Sequence, residues 1–214
     1  MAEAVARRGP AHSPSEPPAG TSWPLPRLSV PVGTRLLRLN GAAYPDPAYF
    51  GRNGLHRFDA PDGAFGVCYL GTSLECCFLE VLAQTRTAAA QPWTVAAADL
   101  SLFYAAIATT EQPLDLAYLA DAGLARLRID QRHTGGDDYG LSQRWSAAIQ
   151  MHDHPMDGIF YASRHHNGLY SVALFDRARG KVRFEAWGTL GDRGTPDLWL
   201  ETARILRTYA IIVL

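Results

Sequence analysis

Residues 76–83 read CCFLEVLA, a run that is apolar or small except for one carboxylate, Glu80. Burying an unpaired charge is costly, so such a group pairs, hydrogen-bonds or neutralises instead. Glu80 therefore lies either at the edge of a buried stripe, snorkelling to solvent, or in a polar pocket as a functional carboxylate. A second cluster follows in MHDHPMDG, where His152, Asp153, His154 and Asp157 fall close together, with His165 and His166 beyond. Imidazole and carboxylate suit several divalent ions, so a metal hydrolase is the chemistry these groups would permit. HxH without an HExxH helix is a weak signal, and a polar loop ahead of a hairpin is the favoured reading. A metal site is not expected.

The elements that must hold Glu80 are legible around it. AFGVCYL (64–70) reads as a buried strand leading into GTSLECCFLEVLAQ. Thr72 and Glu75 have capping-box spacing, which predicts a helix starting at about Ser73. On that helix Leu74, Cys77, Phe78, Val81 and Leu82 share one face. At roughly 100° per residue, Glu80 falls on its flank.

Elsewhere TRLLRL (34–39) is expected to be the first strand, and NGAAYPDPAYFGRNG (40–54) a loop. TVAAADLSLFYAAI (94–107) supplies one or two strands, and PLDLAYLADAGLARL (113–127) a short helix. DDYGLSQRWSAAIQMH (137–152) is a longer helix. DGIFYAS (157–163) and LYSVALF (169–175) are strands joined through RHHNG, whose Asn-Gly is a turn signal. KVRFEAW (181–187) is a strand by alternation and GTLGDRG (188–194) a connecting loop. A helix starts at Thr-Pro in TPDLWLETARILRTY, and YAIIVL closes the chain as an apolar strand. Strands and helices mix without a regular βαβ repeat, so the fold class is α+β.

The chain has 214 residues, 47% hydrophobic and 19% charged, with a formal net charge of −1. That suffices for one sizeable core and gives no global electrostatic footprint for nucleic acid. No apolar run approaches the roughly 18 to 20 residues of a membrane span. Cys68, Cys76 and Cys77 form neither a disulfide framework nor a CxxC zinc pair, which fits a reducing cytoplasm. Residues 1–30 are rich in Pro, Ala, Ser and Gly and are expected to be a disordered tail, with the catalytic domain over 31–214. There is no Walker-type loop and no GxGxxG after a strand, so no tightly bound cofactor is expected.

The ordered set LLRLN, AYFG, LHRFDAP, VCYLGTSLECCFLEVLA and DGIFYASR resembles the RES domain family, over about residues 35–176. Members are toxins of bacterial toxin–antitoxin modules, with a fold related to the ADP-ribosyltransferases. The resemblance aligns Arg38 with the arginine closing the first strand and Tyr49 with the aromatic of the next loop. It aligns Arg57 with the arginine of a Gly-Gly-Arg-aromatic-Asn segment and Tyr69 with the tyrosine ending the following strand. Glu80 matches the helix glutamate, and Ser163 the serine after the Asp-Gly-Ile strand. Here HRFD replaces the glycine pair and the asparagine.

The resemblance implies cleavage of the nicotinamide–ribose bond of NAD⁺, with phosphate or water as acceptor. NAD⁺ is then substrate rather than cofactor. It also implies neutralisation by an Xre-type antitoxin, no direct contact with nucleic acid, and a homo-oligomer within the antitoxin complex. The residue types suit this chemistry. Bond cleavage develops positive charge on the ribose, which Glu80 would stabilise. An arginine fork, from Arg38 or Arg57, would hold the pyrophosphate. Tyr49 or Tyr69 would stack on nicotinamide, and Ser163 would hydrogen-bond ribose or amide. Two alternatives share the fold: transfer of ADP-ribose to a protein, and a catalytically silent NAD-binding module. Read singly, Arg57 would pair with Asp59 or Asp62, Tyr69 would be a core aromatic, and Ser163 an ordinary turn residue.

Overall fold

A computed structural model describes residues 15–44, 46–82, 92–136 and 139–214. Among these residues ten strands and six helices alternate irregularly, as expected for an α+β chain. The strands are β1 (Arg27–Val30), β2 (Arg35–Gly41), β3 (Val67–Gly71), β4 (Thr94–Val95), β5 (Phe103–Thr110), β6 (Leu114–Leu119), β7 (Gly158–Ala162), β8 (Tyr170–Phe175), β9 (Val182–Thr189) and β10 (Ile212–Val213). The helices are α1 (Leu74–Leu82), α2 (Ala97–Leu100), α3 (Asp121–Leu127), α4 (Arg132–Gly135), α5 (Tyr139–Gln150) and α6 (Pro196–Thr208).

Eight strands form one mixed sheet in the order β1-β6-β7-β8-β3-β2-β5-β9, and β10 pairs with β4 in a small second sheet. Among the described residues only β6–β7 is a parallel pair within the large sheet. A parallel neighbour requires a crossover, and α3 to α5 provide it. β7 and β8 run antiparallel through the RHHNG turn, where Gly168 takes a φ of 93°. Such a value favours glycine because it has no Cβ.

Strand alternation sorts the core onto two faces. Cys68 and Leu70 of β3 join Leu36, Val172 and Leu174 on one face. The other face carries two separate clusters. One gathers Phe58, Val67, Trp145, Ile159 and Phe175 under α5. The other gathers Leu39, Leu74, Phe78, Ala105 and Ile205 under α1 and α6.

Two expectations are corrected. The strand expected over 34–39 is the second, Arg35–Gly41, because Arg27–Val30 already pairs antiparallel with Leu114–Ala117. The domain therefore starts before Val30, and Trp23 and Leu25 pack on the α5 cluster. Segment 113–127 contains the expected short helix, α3, and before it a strand, Leu114–Leu119, whose residues are all buried except half-buried Asp115 and Tyr118. The expected tail over residues 1–14 lies outside the described residues. No described helix is long and apolar enough to cross a membrane.

Candidate active site

β2 pairs with β5 over seven residues but with β3 through the single pair Leu37↔Gly71. Beyond that pair the strands separate, and a cleft of about 470 Å³ opens between them. Its walls include Arg38 to Gly41 of β2, Tyr69 to Gly71 of β3, and Cys77, Glu80 and Val81 of α1. Tyr44, His56, Arg57, Tyr139, Tyr161, Arg164 and Ser171 complete the lining. Volume and mixed polarity are those of a small-molecule site.

α1 is held tightly against this gap. Its N-cap is Ser73, whose Oγ accepts the Cys76 N–H at 3.1 Å. The Thr72–Glu75 capping box does not form. Thr72 Oγ1 donates to Tyr170 O, and Glu75 bonds Arg204 and the Tyr209 hydroxyl. Gly71 lets the helix approach, since a Cβ there would stand 2.6 Å from Cys77 Sγ. Leu74, Cys76 to Leu79 and Leu82 are all buried, so α1 is covered on more than the one face periodicity suggests.

Like Glu75 and Val81, Glu80 is half-buried. Ser163 Oγ donates to its Oε1 at 2.5 Å, and the Arg164 N–H approaches the same oxygen at 3.3 Å. Because Ser163 Oγ also accepts the His165 N–H at 3.2 Å, its own proton is left for the carboxylate. Ser163 is 4% exposed and stands behind Glu80, lining with Arg164 and Gly136 a neighbouring hollow of about 260 Å³. Burial, reinforced by the Glu80 charge, pushes the Tyr161 hydroxyl well above its ordinary pKa.

Arg57 is 8% exposed. Its Nη1 donates to Gly136 O at 2.6 Å, and its guanidinium lies 4.6 Å from the centroid of the Tyr139 ring. It does not seek Asp59. That carboxylate, fully buried, accepts the Tyr69 hydroxyl at 2.9 Å and the His56 N–H at 3.0 Å. Tyr69 OH in turn accepts the Phe58 N–H at 2.9 Å. Burial, followed by the Asp59 charge, raises the Tyr69 pKa well above its ordinary value. Tyr69 therefore presents its ring to the cleft, while its hydroxyl organises the HRFD turn.

Arg38 spans the gap between the strands. Its Nη1 donates to Pro47 O at 2.6 Å, Tyr49 O at 2.8 Å and Cys68 Sγ at 3.1 Å. Tyr49 contributes that carbonyl; its side chain is 55% exposed and stands outside the cleft lining. Of the six aligned residues, Arg38, Arg57, Tyr69 and Glu80 thus line one cleft, with Ser163 directly behind Glu80.

Residue spacing does not reveal Tyr139 and Gly136 as the seat of Arg57. A usable signal is the polar set Ser142, Gln143 and Ser146 on an otherwise amphipathic α5. Ser146 Oγ donates to Phe58 O at 2.7 Å, and Gln143 Nε2 donates to Gly54 O and His56 O. The histidine cluster is engaged elsewhere. His154 bonds Asp115 and Arg27, His152 bonds Trp23 O, and Asp157 pairs with Lys181. Among the described residues no three His, Cys, Asp or Glu side chains are grouped to hold a metal ion.

A probable toxin, y4kH, of Sinorhizobium fredii (strain NBRC 101917 / NGR234) is 42% identical over 81 residues. The match covers 38% of this chain, which spans 63% of that relative's length. Among solved structures, the M. tuberculosis MbcT–MbcA toxin–antitoxin complex contains a chain that superposes with a TM-score of 0.56 at 17% identity. That superposition covers 82% of this chain and 92% of the other, and establishes a shared fold. The RES domain family model matches residues 2–195, nearly the whole chain. The chain belongs to the RES domain family.

Proposed function

We propose that this protein is the toxin of a toxin–antitoxin pair and acts by cleaving the nicotinamide–ribose bond of NAD⁺. The observation that carries this reading is the convergence of Glu80 and Arg57 on one cleft, with Ser163 orienting the carboxylate from behind. The C1′–N bond breaks with its electron pair passing to the pyridinium nitrogen, so nicotinamide leaves neutral and positive charge develops on the ribose. A carboxylate fixed by hydrogen bonds before reaction stabilises that charge without reorganising. Its second oxygen accepts a ribose hydroxyl. An oxygen of phosphate or water then bonds to C1′, and in the case of water a proton is released.

Arg57 suits the pyrophosphate because Tyr139 and Gly136 hold its planar fork in place while other donors remain for a ligand. Arg38 lines the same cleft, with one nitrogen committed to the 47–49 loop. The ring of Tyr69 offers a stacking surface for nicotinamide. NAD⁺ is consumed, and no bound cofactor enters the scheme. The two relatives, a probable toxin and a toxin–antitoxin complex, support an antitoxin partner, which we take to be of the Xre type.

The test is incubation of purified, antitoxin-free protein with NAD⁺, with and without phosphate, following free nicotinamide. Release of nicotinamide with ADP-ribose or its phosphate adduct is expected, and labelled NAD⁺ should leave no label on lysate proteins. No turnover by the wild type overturns the reading. Label on protein would reassign the acceptor.

A further inference from the structure

The segment 15–26 does not merely precede the domain. Ser15 N–H donates to His133 Nε2 at 2.9 Å, and Ser15 O accepts the Trp145 Nε1–H at 2.9 Å. One residue thereby bonds α4 and α5 at once. Glu16 adds a two-point ion pair with Arg144, at 2.7 and 2.8 Å. Further along, the Trp23 ring packs edge-on against Trp145, with centroids 5.7 Å apart. The segment is a strap across α5.

α5 in turn is the support of the loop that carries Arg57. Gln143 and Ser146 hold the carbonyls of Gly54, His56 and Phe58, and Tyr139 lies under the guanidinium. α4 is tied to the same helix, because Ser142 Oγ donates to His133 O at 2.6 Å. Just beyond α4, Gly136 O accepts Arg57 Nη1. Contacts to Arg57 and its loop therefore arise from the two helices that Ser15 joins. Buried His133 and Trp145, 3% and 2% exposed, transmit the contact through packed atoms with little room to yield.

We infer that Ser15 and Trp145 are positioning residues for Arg57: the N-terminal strap sets the relative placement of α4 and α5, and that placement aims the guanidinium into the cleft. The kinetic part of this inference rests on the NAD⁺ reading; the conformational part stands without it. Neither residue touches the cleft, so the effect passes through Gly136, Tyr139 and the 54–58 loop.

The test uses the full chain. Ser15→Pro deletes the N–H donor and keeps the carbonyl; Ser15→Ala keeps both backbone groups and serves as the conservative control. Trp145→Phe deletes the Nε1–H donor while retaining an aromatic ring. Ser15→Pro and Trp145→Phe should raise KM for NAD⁺ about three- to tenfold, the scale of one lost hydrogen bond, with kcat within about twofold. Ser15→Ala should match the wild type. In an Arg57→Lys background the Ser15→Pro effect on KM should largely disappear, because the group being positioned is gone. Amide exchange over residues 54–59 should accelerate in Ser15→Pro and Trp145→Phe at unchanged global unfolding. A lowered melting temperature with unchanged KM and unchanged exchange at 54–59 would overturn the inference, leaving a strap that only stabilises. If the wild type releases no nicotinamide, the functional reading fails, and the exchange measurement alone decides the positioning claim.

Discussion

Ser163 Oγ donates to Glu80 Oε1 at 2.5 Å, joining residues 83 positions apart in the chain. The bond leaves Glu80 directed at the cleft as an acceptor with its second oxygen free for a ligand hydroxyl. Glu80→Gln should lower kcat at least about 100-fold, since it removes the charge that the transition state needs while preserving the amide oxygen that Ser163 can still bond. Ser163→Ala should cost about tenfold, the value of one oriented hydrogen bond. Initial rates of nicotinamide release measure both, and thermal unfolding of Glu80→Gln should stay near the wild type.

Arg57→Lys tests whether a positive charge suffices. A lysine ammonium cannot lie flat on Tyr139, bond Gly136 O and still present a fork to the cleft. KM should rise about tenfold or more, with kcat affected less. Tyr139→Leu should raise KM about two- to fivefold, in keeping with the modest strength of a cation–π contact. A lysine variant with wild-type KM would rule out the fork.

Tyr69→Phe addresses stability rather than chemistry. The substitution strips the Phe58 N–H of its acceptor and Asp59 Oδ1 of its donor, both in the interior. A buried group left without its partner costs about 1–3 kcal/mol, and urea unfolding should show a loss of that size. The HRFD turn would loosen with it, so Arg57-dependent binding should weaken as well.

Alkaline stability should fall because of the thiols. Burial pushes Cys68 up to about 11 and Cys76 up to about 12, from an ordinary value of 9.0. Above pH 9 the unfolded chain releases these protons while the native protein keeps them, so the native state loses ground until it too ionises at about pH 11 to 12. The contribution is fully present below pH 9; over that window Cys68 alone accounts for about 3 kcal/mol. Cys76→Ala should flatten the decline, as read from unfolding free energies at successive pH values. In the native protein below pH 9 none of the three buried thiols should react promptly with a disulfide reagent.

Much of this is legible in the sequence. The helix at Glu80, the Asn-Gly hairpin and the α+β class follow from local signals that need no long-range information. The failures share a cause. β1 is hidden because Pro-rich composition reads as tail, yet an edge strand tolerates flanking prolines and is fixed by its pairing with β6. Leu114–Leu119 goes unassigned beside the short helix of its segment because its apolar run is short, and the parallel partner β7 decides the matter. The Thr72–Glu75 spacing fits a capping box, but Glu75 is drawn away by Arg204 and Tyr209 from a helix 120 or more residues distant. The seat of Arg57 is likewise tertiary: Gly136 lies 79 residues away, and nothing local points to it.

The lone Leu37↔Gly71 pair makes the large sheet continuous in topology but thin in backbone hydrogen bonds at that seam, which the shared core of Leu36 with Cys68 and Leu70 closes on one face. On one side lie β2, β5 and β9 with α6; on the other lie β3, β8, β7, β6 and β1 with α5. α1 is the clasp between them. Cys77 Sγ reaches Leu37 O on the first side, while Cys76 Sγ reaches Tyr170 O and Glu80 reaches Ser163 on the second. The carboxylate assigned to the chemistry is therefore also a fastener. A ligand lying in the seam touches both leaves and knits them together, so its occupancy should be felt as cohesion throughout the molecule, well beyond the few residues that touch it.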